Sequence, residues 1–263
     1  METVLETITI RREASGTAVV TLDRPAKRNA CTQAMWRALG ETFVQLGDDP
    51  VVRAIVLTGA GGHFCAGADI SEFRTARHDA AAAARYEADV AFCEQTIRHC
   101  PKPTVAAVSG YAMGGGCGLA VSCDFRVAHA GARFGIPAAR LGIVYTMGEC
   151  HALATVVGIT QAKRILFTGE WVDAARAEAI GLADVVTDED PVEAALAFVA
   201  GMAENAPLSI QGAKLALNAI ADGEMEGRTS DLERVAARAA DSADYAEGRQ
   251  AFLEKRRPRF RGL

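Results

Sequence analysis

The sequence predicts an α/β fold, and three observations carry that reading. VRAIVLTG (52–59) and TVAAVSG (104–110) are nearly continuous apolar runs of strand length, the pattern of strands buried on both faces. Each runs into a glycine-rich exit, GAGGHFCAGADI (59–70) and GYAMGGGCGLAVSCD (110–124). From Glu149 onward the chain reads as helix almost throughout.

Taken in order, LETITI (5–10) and TAVVTL (17–22) read as strands joined by a turn at Ala14, Ser15 and Gly16. Pro25 breaks the pattern. Helical spacing begins near Thr32 and places Met35, Leu39, Phe43 and Leu46 on one side, until Pro50 closes the segment. An alanine-rich helix is expected over 79–99, ahead of Pro101 and Pro103, and a further strand at FRVAHA (125–130). GARFGIP reads as a turn, and GLADVVT (181–187) as a strand among helices. The C-terminal helices are VEAALAFVAGMAE (192–204), LSIQGAKLALNAI (208–220) and a long span over 232–256. Ser242-Ala243-Asp244 looks like a fresh helix cap inside that span.

Composition narrows the function classes. The net charge of −5 gives no bulk attraction for nucleic acid. The basic ending EKRRPRFRG (254–262) is a local exception that fits a small anion or an acidic partner surface. Seven cysteines form no CxxC pair, and METVLETITIRR has no long apolar run. Reduced thiols, no secretory leader and a cytoplasmic location are therefore expected. No run of 18 apolar residues offers a membrane span. GAGGHF is not GxGxxG, and neither GxxxxGK[ST] nor GxSxG occurs. No histidine pair with helical spacing and surrounding acids marks a metal site.

The two glycine-rich loops carry the chemistry. A strand that enters a helix through glycine lets backbone approach a ligand closely and leaves the first helical N–H groups free. In TVAAVSGYAMGGGCGLAVSCD the helix is expected to start near Gly114 or Gly115. HFCAGAD (63–69) leaves another buried strand in the same manner. One N–H from each loop would converge on a single carbonyl oxygen and stabilise negative charge developing there.

These segments also carry a resemblance. LDRPAKRNA (22–30), VVRAIVLTGAGGHFCAGADISEF (51–73), PTVAAVSGYAMGGGCGLAVSCDFRVA (103–128), ARFGIPAARLGIV (132–144) and AFLEKRRPRF (251–260) are similar to the crotonase, or enoyl-CoA hydratase/isomerase, superfamily over nearly the whole chain. The resemblance implies a crotonase-like spiral of ββα units over 1–200. It also implies a helical C-terminal region over 201–263 that packs trimers, or dimers of trimers, and closes the coenzyme A pocket. It implies an acyl-CoA thioester as ligand, no other cofactor, and an enolate oxygen held by the amides of Ala68 and Gly115. Coenzyme A would lie near Lys27, Arg28, Ala30, Ala66, Asp69 and Ile70, with Phe252 and Lys255 closing over it.

Departures from the family pattern bear on the reaction. The two glutamates of the family's hydratases fall at Gly118 and Ala138, and the aspartate of some isomerases at Thr146. None of these can exchange a proton as a carboxylate does, so ordinary two-glutamate hydration is disfavoured. Glu149 is a shifted acid or a helix-start residue. Tyr145 resembles the tyrosine of methylmalonyl-CoA decarboxylases, which carry a histidine where this chain has Ala68; His63 lies too early and is expected to face solvent. Decarboxylation generates an enolate without a carbon-bound proton being removed, so loss of carbon dioxide from a short malonyl-type CoA is the leading expectation. Non-catalytic acyl-CoA binding and hydration or isomerisation by displaced acids are the alternatives. Arg140 is either an acyl-carboxylate contact or a surface residue, and Cys117 is expected to be an inert pocket residue.

Overall fold

The computed structural model describes residues 2–262, so Met1 and Leu263, the outer limits of the two predicted regions, lie outside the described residues. In chain order the strands are β1 (Glu2–Leu5), β2 (Ile8–Arg12), β3 (Thr17–Leu22), β4 (Ala54–Gly59), β5 (Thr104–Val108), β6 (Tyr111–Met113), β7 (Phe125–His129), β8 (Arg133–Gly135), β9 (Val172–Asp173) and β10 (Val185–Thr187). The helices are α1 (Gln33–Asp48), α2 (Phe73–Ala76), α3 (Ala80–Arg98), α4 (Gly115–Ser122), α5 (Ala138–Leu141), α6 (Met147–Thr168), α7 (Ala174–Ala179), α8 (Pro191–Ala203), α9 (Pro207–Asp222), α10 (Met225–Ala240) and α11 (Ala243–Glu254).

The larger sheet runs β1-β2-β3-β4-β5-β7-β10, and a small one runs β6-β8-β9. β1, β2 and β3 form an antiparallel meander. From β3 onward the pairing is parallel, with Val20 opposite Leu57, Leu57 opposite Ala106, and Ala106 opposite Arg126. Because side chains alternate, Val19, Val56, Val105, Ala107 and Val127 face one way and meet Ala195 and Val199 of α8. Val20, Leu57, Ala106 and Ala128 face the other way, into the main core with α1 and α3. Burial on both faces explains why these strands read as unbroken apolar runs.

Helix starts follow the sequence closely. Thr32, Asp79, Thr146 and Ser242 each accept a hydrogen bond from an amide of the first turn, which satisfies a donor that the helix leaves open. α1 buries Met35, Trp36, Leu39, Phe43 and Leu46, and each fully buried side chain of this size contributes roughly 1.5–3 kcal/mol.

Three expectations need correction. LETITI is not one strand: a turn at Glu6 and Thr7 divides β1 from β2, and Leu5 pairs back onto Ile8. GARFGIP is not simply a turn, since Arg133–Gly135 pairs in parallel with β6 and Ala112 lies opposite Phe134. Strands of three residues are too short to show a period, and this one is fixed by tertiary pairing. In GLADVVT only Val185–Thr187 is strand. Among the described residues no helix is long and apolar enough to cross a membrane, and no group of three or more His, Cys, Asp or Glu is placed to hold a metal ion.

Candidate active site

Two loops build the site, and hydrogen bonding fixes each. The chain leaving β4 is zipped onto β6, with Cys65 N–H donating to Tyr111 O and Met113 N–H to Cys65 O, both 2.9 Å. On its other side, Cys31 N–H donates to Gly67 O and Asp69 N–H to Cys31 O, both 2.8 Å. Ala68 sits between these bonds, and its own N–H has no acceptor among the described hydrogen bonds. Asn29 holds the start of the loop from beneath. Fully buried, it accepts from Arg24 N–H at 2.9 Å and donates to Ala60 O at 2.8 Å and His63 O at 2.6 Å.

The second loop turns sharply at Gly114, whose φ of 54° and ψ of −124° suit glycine alone. α4 then begins at Gly115, as the sequence predicts, and that first helical N–H likewise lacks an acceptor among the described hydrogen bonds. Gly67, with φ of 93°, is where the loops touch. A Cβ there would stand 2.6 Å from Met113 O and 3.2 Å from Gly115 N. The amides of Ala68 and Gly115 thus border one cavity of about 160 Å³, walled by Trp36, Tyr86 and Tyr145. Trp36 donates its indole N–H to Tyr86 Oη at 2.9 Å and lies beneath Gly115, where a Cβ would approach the ring to 3.0 Å. Two amide dipoles, one at a helix start, favour an oxygen that gains negative charge.

The other predicted residues divide. Tyr145 lines this cavity, with its hydroxyl 3.9 Å from where a Cβ of Gly114 would stand. Burial, and then Glu149, push its phenol far up, so it is neutral and suited to donate a hydrogen bond. Glu149 closes a capping box: its Oε2 accepts from Thr146 N–H at 2.7 Å and Thr146 Oγ1 at 2.8 Å. It lines the cavity as well, so the structural and the cavity placements coexist. Ala66 and Ile70 are at the rim, and Ala66 N–H donates to Arg28 O at 2.9 Å. Lys27 and Arg28 are exposed, and Arg28 lies over the Tyr111 ring at 5.3 Å. Ala30 is buried, and its carbonyl accepts from Arg24 at 2.6 Å. The Asp69 carboxylate is taken up by Arg24 at 3.0 Å and Ser71 Oγ at 2.5 Å, with Ser71 the first cause of its lowered pKa.

Phe252 and Lys255 do not join this group within one chain. Phe252 is 83% exposed and neither residue lines the cavity; the start of α11 instead holds the tail, with Asp244 accepting from the amides of Arg261 and Gly262 at 2.7 Å. Arg140 donates to Thr168 O at 3.1 Å and 3.2 Å and so braces α5 on α6. His63 does not simply face solvent: it stacks on Tyr111 at 4.8 Å, and its Nδ1 is buried. Burial pushes the Cys117 thiol up to about 12, which leaves it unreactive.

Sequence reasoning missed two acids of α3. A second cavity, of about 350 Å³, adjoins the first and shares Glu87, Val90 and Glu149 with it. Glu87 is raised by burial and then by Glu149, against the pull of its ion pair with Arg77. Glu94, 8% exposed, is pushed up to about 8 by burial first and then by Glu149 and Glu87. A signal for it existed: Tyr86, Val90, Cys93 and Ile97 make an apolar stripe at helical spacing, and Glu94 falls within that stripe.

Comparison with known proteins agrees with this architecture. The family profile described as Enoyl-CoA hydratase/isomerase matches residues 12–262. Over 245 residues the chain is 35% identical to the 2,3-dehydroadipyl-CoA hydratase of Escherichia coli, covering 93% of this chain and 94% of that one. It is 33% identical over 252 residues to the crotonyl-CoA hydratase of Syntrophomonas wolfei, covering 92% and 94%. Among solved structures, an enoyl-CoA hydratase of Mycobacterium smegmatis superposes with a TM-score of 0.87 at 31% identity, covering 97% of this chain and 99% of that one. The chain belongs to the enoyl-CoA hydratase/isomerase family, and its fold is the α/β crotonase-like fold with a mixed sheet and a C-terminal helical bundle.

Proposed function

We propose that this protein binds an enoyl-CoA thioester and adds water to it, or shifts its double bond, with acids displaced from the two positions where the family resemblance expects glutamates. The observation that carries this reading is the pair of amides at Ala68 and Gly115, which have no acceptor among the described hydrogen bonds, on a cavity that also presents Glu149 and Glu87. The thioester oxygen would accept from both amides. As water adds at the acyl Cβ, the alkene electron pair moves onto that oxygen as an enolate, and Glu149 takes the water proton through the oxygen that Thr146 leaves free. The neutral Tyr145 phenol would orient the acyl group. The hydratase names of the relatives favour this reading over loss of carbon dioxide from a malonyl-type CoA. Exposed Tyr245, Phe252 and Leu253 on α11 fit a role for the C-terminal helices in packing trimers.

The test is turnover of a panel of enoyl-CoA thioesters, read as loss of conjugated-thioester absorbance. The expected result is hydration by the wild type and a fall in kcat of roughly 100-fold for Glu149→Gln, with unchanged Tm because glutamine also closes a capping box. Silence across the panel, with carbon dioxide released from a malonyl-type CoA, would establish decarboxylation instead. Tight binding with neither reaction would establish a carrier.

A further inference from the structure

Among the described residues, one buried carboxyl group lacks the partner that such a group requires. Glu94 is 8% exposed, and its Oε1 has no hydrogen-bond partner. Buried polar atoms are nearly always satisfied, and an exception calls for an explanation. The residue opposite it on α4 has no side chain. A Cβ built on Gly118 of α4 would collide with Glu94 Oε1. No other described glycine of α4 meets a carboxylate. Glu94 also lines the larger cavity, which shares Glu87, Val90 and Glu149 with the cavity of the paired amides.

We infer that Glu94 of α3 is the group that donates a proton to the acyl α-carbon, its carboxyl occupying the room that Gly118 leaves beside α4. This rests on the enolate chemistry proposed above and supplies the donor which that chemistry lacks. The proton balance closes between Glu149, which lines both cavities, and Glu94, which lines the larger one. Water forms its C–O bond at Cβ and gives its proton to Glu149, while the alkene electron pair becomes the enolate. The enolate pair then forms a C–H bond at Cα with the proton of Glu94, whose O–H bond breaks. Transfer of a proton from Glu149 to Glu94 restores both. The surroundings keep Glu94 protonated near neutrality: burial acts first, followed by Glu149 of α6 and Glu87 of its own helix. Cys117 of α4 and Tyr145 face it as neutral groups. Arg98, one turn further along α3, is held by Asp222 of α9 at 2.7 Å.

The test separates this inference from the reading beneath it. In deuterium oxide, exchange at Cα of a saturated acyl-CoA needs only an enolate site and a proton-exchanging group, with no hydration. Wild-type exchange is expected to rise with pH through about 8, as Glu94 becomes the carboxylate that removes the Cα proton. Glu94→Gln is expected to lower exchange at least roughly 100-fold, to remove that pH limb, and to change acyl-CoA affinity less than about threefold. Should the glutamine variant fail to fold, Glu94→Asp keeps a titrating group on a shorter arm; a slowed exchange with a displaced pH limb supports the assignment. Glu94-dependent exchange without enoyl-CoA hydration would keep the assignment and remove the hydratase reading. Wild-type-like exchange and pH profile in Glu94→Gln, or in the aspartate variant, would overturn it, as would absence of exchange in the wild type.

Discussion

Gly67→Ala is expected to lower kcat on whichever acyl-CoA the protein turns over by roughly 10²–10³-fold, about 3–4 kcal/mol of transition-state stabilisation. Gly67 has φ of 93°, and an added Cβ would stand 2.6 Å from Met113 O and 3.2 Å from Gly115 N. Neither neighbour is a flexible side chain. The loop carrying Ala68 must therefore move away from the loop carrying Gly115, and two donors that converge on one oxygen no longer do so. The hydrogen bonds to residue 31 anchor the Ala68 loop and oppose that movement, so the strain falls on the site itself. Steady-state kinetics with KM and kcat separated check this. A kcat within threefold of wild type would show that the relation between the two loops is unimportant.

The second large effect concerns stability. Glu94 is held in its protonated form up to about 8 by burial first and neighbouring carboxylates second, whereas in the unfolded chain it ionises near the ordinary value of 4.5. Between those two values the folded state binds the extra proton, so raising pH favours unfolding, and the loss is complete above the folded value. A displacement of this size corresponds to roughly 5 kcal/mol. Glu94→Gln removes the linkage. Denaturation of both proteins across pH 5 to 9 is expected to show a stability difference that grows in favour of the variant and levels off above about pH 8. A difference that stays flat with pH would mean that Glu94 is already ionised in the folded state near neutrality.

Much of the fold is written locally. Doubly buried strands such as β4 and β5 show themselves as apolar runs, and capping residues such as Thr32 and Ser242 mark helix starts within a residue. β6, β8 and β9 escape notice because two- and three-residue strands hold no period; they exist because Ala112 and Phe134 are brought side by side by the larger sheet. The site divides in the same way. Glycines at 67, 114 and 115 declare the paired amides, since loop, turn and helix start are local features. Gly118 reads in sequence only as a place where a carboxylate is missing. That Glu94, 24 residues earlier, is folded against it depends on the packing of α3 on α4, which no local pattern encodes.

The most direct test of the paired-amide site is a structure of the protein with an unreactive acyl-CoA analogue. The thioester oxygen should lie about 3 Å from the amide nitrogens of both Ala68 and Gly115, with the acyl α-carbon turned toward α3. A thioester oxygen bound elsewhere, with water or another protein group occupying the two amides, would contradict it.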